Sequence, residues 1–363
     1  MYQKHKISDR ELKKYQESEA PLDNNLRAHL IYKEQSQNFT LLRENLEKLK
    51  KQLVEKLTID GVKLRLVLNI TRKSSLKANT FKRKDKESKC KLCQLPAEQK
   101  GFPVLNNKYF VLPNPGITIP GDLTIAATKH RNQEISGNFN HLLTLARQLY
   151  DYSIYFNGAL AGATSPHMHF QAGLQNKLPG EKQILSALYN NSDIKLSELN
   201  RLKNVKIYRV NHFLRECYII HGKNEIVIRN LFQRIMAILK KINLGFKSSI
   251  NVPRFGGYIP AIEKKEEEAR INLMANYDKN RNAYSVAIFP KRTNRPKMYF
   301  SDSIKIILGM AIKEALGNLI TFRKKDFNIL KNSPEKIIRA YADTSITRTQ
   351  SKQFSDKIKE LKL

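Results

Sequence analysis

The feature that most narrows the fold is a series of short β-type runs between residues 109 and 172, joined by links too short for parallel crossovers. Tyr109 to Leu112 and Leu123 to Thr128 read as strands on either side of Pro113 to Asp122, a loop with three prolines and two glycines. Ser136 can cap a helix whose apolar positions are Phe139, Leu142, Leu143, Ala146 and Leu149. Tyr152 to Phe156 reads as a strand, Asn157-Gly158 as a turn, and an Ala/Gly segment leads into Pro166-His167-Met168-His169-Phe170-Gln171-Ala172. Strand, strand, helix, strand, strand with short links predicts an antiparallel sheet. The class is therefore α+β and not a doubly wound parallel sheet.

The flanks extend this pattern. Residues 1–58 read as a helical N-terminal region, because Asn24 to Leu57 lacks Gly and Pro and carries Leu41, Leu42, Leu46, Leu49, Leu53 and Leu57 at helical spacing. After Gly61, Val62, Leu64, Leu66, Leu68 and Ile70 alternate as in a half-buried strand. Beyond Pro179, Val205 to Val210 and Cys217 to His221 read as strands and Glu225 to Ile242 as an amphipathic helix. Phe255-Gly256-Gly257 breaks the chain. Ile271 to Tyr277 and Ala283 to Phe289 then form a hairpin around Asp278 to Asn282, and Ile304 to Leu316 reads as a helix. The second part repeats the ingredients of the first without a second histidine motif. The expected division is a helical region 1–58, a catalytic half 59–185, a second half 186–345 and a charged tail 346–363.

Composition sets outer limits. No stretch approaches the roughly 18 apolar residues of a membrane helix, and Met1 to Arg10 carries no apolar run of the secretory type. The three cysteines do not suggest a disulfide framework, so a reducing, cytoplasmic setting is expected. The formal net charge is +32, from 65 Lys and Arg against 33 Asp and Glu. Such a field attracts polyanions, either nucleic acid or a phosphate-rich small substrate; solvated lysines in a Lys-, Asn- and Ile-rich chain also account for it. No nucleic-acid motif with interleaved aromatics is present, and there is no Trp.

Chemistry concentrates at Pro166–Ala172. On a strand, His167, His169 and Gln171 share one face, and Met168 and Phe170 share the other. Two imidazoles and an amide in a row are polar groups that must each find partners. Spacing alone leaves both a site and a pair of satisfied surface histidines open.

Asn157-Gly158-Ala159-Leu160-Ala161-Gly162-Ala163-Thr164-Ser165-Pro166-His167-Met168-His169-Phe170-Gln171 resembles the active-site segment of galactose-1-phosphate uridylyltransferases, a branch of the histidine-triad superfamily. The His-x-His-Phe-Gln-Ala variant is closer still to GDP-sugar phosphorylases and their bacterial relatives, and Ap4A-type phosphorylases share the His-x-His-x-Gln logic. Residues 69–93, 96–99 and 287–296 extend the resemblance more weakly. It implies a histidine-triad-like sheet in two related halves. It also implies nucleotidyl transfer through a covalent intermediate on His169, with Gln171 donating to the phosphoryl group. Asn157, Thr164 and Ser165 fall where the family contacts ribose and phosphates, although Thr164 and Ser165 also suit a loop that bonds its own backbone. The implied donor is a nucleoside diphosphate sugar, first a GDP-hexose, with inorganic phosphate or a sugar phosphate as acceptor. The alternatives are a dinucleoside polyphosphate phosphorylase or hydrolase and a non-enzymatic nucleic-acid binder. A monomer or homodimer is expected, with no membrane partner.

The resemblance also implies a zinc site. Cys90-Lys91-Leu92-Cys93, His130 and His167 would give two thiolates and two imidazoles, a closed structural set. A redox pair and plain thiols are the other readings of Cys-x-x-Cys. Arg72 follows the Val62–Ile70 strand within reach of a phosphate, as does Lys77. Lys291, Arg292 and Arg295 cluster after a strand as a phosphate clamp, a role that a solvated loop would match equally well.

Overall fold

The computed structural model describes residues 2–77, 90–189, 192–244, 268–303 and 305–362. Most of the basic loop expected after Lys77 (Lys82, Arg83, Lys84, Lys86 and Lys89) and the Phe255–Gly257 break lie outside these residues.

In chain order the elements begin with α1 (Asp9–Lys13), α2 (Asn24–Asn38), α3 (Thr40–Lys50), β1 (Leu53–Ile59), β2 (Val62–Leu68) and α4 (Lys73–Leu76). The first half of the main sheet follows: β3 (Phe102–Val104), β4 (Tyr109–Pro113), β5 (Leu123–Ala127), α5 (Phe139–Gln148), β6 (Tyr152–Asn157) and β7 (His169–Leu174). After α6 (Pro179–Ala187) comes the second half: β8 (Leu196–Leu202), β9 (Val205–Val210), β10 (Tyr218–Gly222), α7 (Glu225–Leu244), β11 (Ile271–Asp278) and β12 (Ala283–Pro290). The chain ends with α8 (Ile312–Ala315), β13 (Asn318–Thr321), α9 (Lys324–Asn332), α10 (Pro334–Thr344) and α11 (Arg348–Lys359).

The main sheet has ten strands in the order β3-β4-β5-β7-β6-β11-β12-β10-β9-β8. Each half is three strands, a helix and two strands, and in each the last strand inserts between the third and the fourth. The halves meet where β6 pairs antiparallel with β11, Asn157 opposite Asn272 and Tyr155 opposite Met274. The topology therefore has an approximate twofold axis through the β6–β11 junction. This is the α+β, two-halved architecture expected from the sequence.

Alternation along the strands builds two cores. Phe170, Ala172, Ile154, Phe156, Leu273 and Ile288 pack with α5 and α7 on one face. Tyr155, Met274, Phe289 and Cys217 pack on the other face against Leu64, Leu66, Ile312, Leu319 and Tyr341. That second layer comprises the small sheet β1-β2-β13, in which β13 runs parallel to β2, and α6 with α8 to α10.

Two sequence expectations are corrected. The helical region does not reach residue 58: Lys50 ends α3, and Leu53–Ile59 forms a strand paired with Val62–Leu68. Asp60 and Gly61 both take positive φ, 50° and 79°, as a two-residue hairpin of Asp-Gly type requires. The leucine spacing that suggested a helix was local; pairing with β2 overrides it. Likewise only Ile312–Ala315 of the expected 304–316 helix is helical. Residues 305–310 form no helix, with Ile306 N–H donating to Met298 O at 3.0 Å and Met310 N–H to Asn294 O at 3.0 Å. Gly309 lets the chain pass against the Arg295 guanidinium, where a Cβ would collide with Nη1.

Glu181, at the start of α6, is fully buried under the second layer, hydrogen-bonded by the Ser153 hydroxyl and by Tyr155 Oη at 3.3 Å. Burial pushes its carboxyl up to about 7, with those hydrogen bonds opposing the rise. Its folded pKa lies above the unfolded value, so the stability it contributes is present at low pH and is lost as pH rises from about 4.5 through about 7. Glu181→Gln should therefore have a thermal midpoint that falls less than the wild type's between pH 5 and pH 7.5. Parallel pH–melting curves of the two proteins would disprove the assignment.

Candidate functional site

The site forms where β7 begins, β6 ends and β11 begins. Met168 and Phe170 are buried in the helix-side core, so His167, His169 and Gln171 face the second layer. Asn132 and His167 form an isolated bridge, and Met168 N–H donates to Arg131 O at 2.8 Å, which extends the sheet just before β7.

His169 is 7% exposed. Its Nδ1 is 2.8 Å from the carbonyl oxygen of His167, so Nδ1 carries the proton and donates. Nε2 keeps its lone pair and has no hydrogen-bond partner among the described residues. Burial holds the imidazole pKa below its ordinary value, partly offset by the His167 carbonyl, so the ring is neutral near pH 7. The His169 backbone N–H donates to Gln133 Oε1 at 2.7 Å. Gln133 Nε2 donates to the carbonyls of Asn157 at 2.9 Å and His169 at 3.0 Å. One buried amide thus ties the ends of β6 and β7 and fixes the height of the imidazole.

Gln171 is half-buried beside it. Asn157 Oδ1 accepts from the Ile312 backbone N–H at 2.8 Å, which turns Asn157 Nδ2 toward Gln171 Oε1 at 3.5 Å. The amide N–H₂ of Gln171 is left without an acceptor among the described residues. Asn272, opposite Asn157, is fully buried, and neither of its side-chain polar atoms has a hydrogen-bond partner among the described residues. Unmatched buried amide groups on the imidazole face are what a polar ligand or water would satisfy.

Immediately behind His169 lies a compact cluster. The ligand atoms of Cys90, Cys93, His130 and His167 all fall within 4.8 Å of one another. Cys90 Sγ and Cys93 Sγ lie 3.3 Å from His167 Nδ1, and Cys93 Sγ lies 3.2 Å from His130 Nδ1. His167 Nε2 donates to Ala127 O at 2.8 Å, which leaves the Nδ1 lone pair facing the thiols. Burial brings the His167 pKa down to about 4, so the ring is neutral, as a metal ligand must be. Two sulfurs and two imidazole nitrogens converging on one point, one ring oriented by a backbone carbonyl, fit a tetrahedral divalent ion. The group expected from the sequence is thus assembled by the fold and can hold a metal.

Cations gather on the same face. Lys291 is 4% exposed, and burial lowers its ammonium pKa to about 7, with Glu314 raising and Arg215 lowering it. Arg295 is also buried beside Glu314 and lies over the Tyr299 ring at 4.8 Å. Arg72 Nη1 donates to Gly116 O at 3.0 Å and influences Lys313 and Glu314. Lys313 bonds Asp122 at 2.5 Å and Thr118 at 2.8 Å. Arg215 donates Nε–H to Ala315 O at 2.7 Å, while Nη1 and Nη2 have no hydrogen-bond acceptor among the described residues. Arg292 turns elsewhere: its N–H donates to Thr344 O and Nη2 to Asp343 O, at the last turn of α10. Thr164 is exposed, and Ser165 Oγ accepts from His167 N–H at 3.3 Å, a local turn bond of the kind its sequence allows.

Gln133, Asn272, Arg215, Lys313 and the Ile312 N–H carried no sequence signal. They are brought to the site by loops and by the last third of the chain. Gly162, at φ 130°, lets the Ala/Gly segment pass against Ala311, where a Cβ would collide.

Comparison with known proteins agrees with the fold. Residues 31–174, which include the cluster and His169, match a family described as a domain of unknown function (DUF4922). No curated protein matches the sequence. Among solved structures, yeast Ap4A phosphorylase Apa2 is similar with a TM-score of 0.57 and 12% identity, covering 90% of this chain and 96% of that one. Its complex with AMP gives 0.52 and 9%, covering 87% and 97%. The likeness establishes a shared architecture along nearly the whole of both chains.

The cluster yields a direct expectation. Purified protein should contain one divalent metal ion per chain by elemental analysis. Cys90→Ser should lose it and melt at least about 2–3 °C lower, as a loss of ~2 kcal/mol does in a chain of 363 residues. Cys217→Ser should keep its metal. Metal-free wild type with an unchanged Cys90→Ser melting curve would refute the site.

Proposed function

We propose that the protein transfers a nucleoside monophosphate from a nucleoside polyphosphate donor through a covalent nucleotidyl intermediate on His169. The carrying observation is the state of that imidazole: buried, neutral, with Nδ1 engaged by the His167 carbonyl and Nε2 free.

Nε2 attacks the α-phosphorus as the bond to the bridging oxygen breaks, and the leaving group departs with that electron pair. The Nδ1–H···O=C bond strengthens as the ring becomes cationic. The Gln171 amide donates to a non-bridging oxygen. An acceptor phosphate oxygen then attacks the same phosphorus, the P–N bond breaks and the neutral imidazole returns. An amide at 171 cannot serve as general acid or base, so an acceptor already bearing an oxyanion suits the site better than water.

A dinucleoside polyphosphate is the donor we favour over the nucleoside diphosphate sugar first suggested by the sequence. Support comes from the fold shared with the Ap4A phosphorylase and from the excess of buried cations (Arg215, Lys291, Arg295 and Lys313) over Asp122 and Glu314. The sugar-linked donor is the second reading, favoured by the sequence His167 to Ala172. In either case Asn157, Arg72, Lys291 and Arg295 belong to the substrate side, whereas Ser165 and Arg292 have contacts that account for them otherwise and Thr164 is exposed. Zinc is the ion we assign to Cys90, Cys93, His130 and His167. When bound it would act structurally, as all four positions are protein ligands, and it would anchor the strand that presents His169.

Intact-mass analysis at neutral to alkaline pH, with a panel of dinucleoside polyphosphates and nucleotide sugars and no acceptor, tests the proposal. Wild type should gain one nucleoside monophosphate, and His169→Ala none. Inorganic phosphate should discharge the adduct far faster than buffer alone, and Gln171→Ala should slow adduct formation by about 10²-fold. If no donor leaves an adduct and polyanion binding survives His169→Ala with a steep salt dependence, the nucleic-acid reading replaces this one.

A further inference from the structure

The twofold relation of the halves has a counterpart to the His169 end. In the first half the site lies at the start of β7, the end of β6 and the start of β11. The equivalent place in the second half is the start of β12, the end of β11 and the start of β6, on the same face. A cavity of about 540 Å³ lies there, lined among others by Tyr189, Asn276, Asp278, Lys279 and Ser285.

Its polar groups are unequally used. Asn276 is 3% exposed; its Nδ2 donates to the Ser153 hydroxyl, and its Oδ1 has no partner among the described residues. A buried amide oxygen left unmatched carries an unrecovered desolvation cost, which a ligand hydroxyl would offset. Ser285 Oγ lies 3.0 Å from His221 Nδ1, within the same reach. The two are directly opposed across β11 and β12. The acids of the cavity are already engaged. Asp278 accepts from the backbone N–H groups of Asn280 and Arg281 and pairs with the Arg281 guanidinium at 2.8 Å. Asp151 is held by Asn25 at 2.7 Å and His29 at 2.8 Å. Lys279, by contrast, makes no ion pair among the described residues, and its ammonium lies over the Tyr150 ring at 4.3 Å. The lining therefore offers paired acceptors and donors for hydroxyls beside one uncommitted cation.

We propose that this cavity is a second, non-catalytic site for a small phosphorylated polyol, with vicinal hydroxyls on Asn276 and Ser285 and the phosphate on Lys279. Two sources share that chemistry, a nucleoside monophosphate and a sugar phosphate. No bond is made or broken there, since β12 presents Ser285 where β7 presents an imidazole. The site does not depend on the activity assigned to His169.

The test is equilibrium dialysis of the full chain against labelled AMP, glucose 1-phosphate and inorganic phosphate. Wild type and His169→Ala should both bind AMP or glucose 1-phosphate at this site. Lys279→Glu, a change at an exposed side chain, should lose one bound equivalent or weaken it at least tenfold. Asn276→Leu should lose the same equivalent. Its melting point, measured in parallel, shows whether the fold is intact; if it is not, Ser285→Ala serves as the second variant. Preference for AMP identifies a nucleotide site and preference for glucose 1-phosphate a sugar-phosphate site. The proposal is overturned if neither compound binds wild type, if inorganic phosphate alone binds, or if Lys279→Glu and the folded second variant match the wild type in stoichiometry and affinity.

Discussion

Everything at the candidate site hangs on one backbone carbonyl, that of His167. Its oxygen takes the Nδ1 proton of His169 and so decides which nitrogen of the buried ring is free. The side chain of the same residue points into the Cys90, Cys93 and His130 cluster, with its own tautomer set by Ala127. A single residue therefore couples a metal-competent centre to the His169 imidazole without sharing a ligand. Any shift of the strand at His167 moves both, and Gln133, clamped between β6 and β7, resists such a shift.

The charge of +32 looked, in the sequence, like one property, and the structure separates it into two. Many lysines are exposed and paired with nearby acids in bonds of small net worth, such as Lys50 with Glu47 and Lys357 with Glu360. A smaller group is buried. Lys291, Lys313, Arg215 and Arg295 all have pKa values lowered by desolvation, a sign that the fold bears a cost to keep cations on the inner face. Such a cost is recovered when an anion enters.

Much of this was legible in the residues. Period-two alternation at His167 to Gln171 gave the facing of the imidazoles correctly, because a strand leaves no other choice once Met168 and Phe170 are buried. The Cys-x-x-Cys pair and His130 could be joined to His167 only through resemblance, since 37 residues separate Cys93 from His130 and no local rule brings them together. Gln133, Asn272 and Arg215 were illegible for the same reason: an isolated amide or guanidinium in a loop or strand becomes meaningful only once the sheet order sets its neighbours. The β1 strand was misread because a 3–4 spacing of leucines outweighed the Asp60-Gly61 turn, although the turn is the stronger signal for a hairpin. The three cations after β12 looked equivalent in sequence; the backbone then sent Arg292 to α10 and kept Lys291 and Arg295 inside.

The junction of β6 with β11 has one more implication. Every residue of β6 is buried, and β11 is buried over Ile271–Asn276. Each half, taken alone, would end its five strands in an apolar edge with open N–H and C=O groups, an invitation to pair with another chain. The fused arrangement hides both edges in a single covalent stroke. The first half is therefore not a portable module: whatever chemistry His169 performs, it has been bound to the presence of a partner half that carries no second histidine motif and yet keeps the sheet closed.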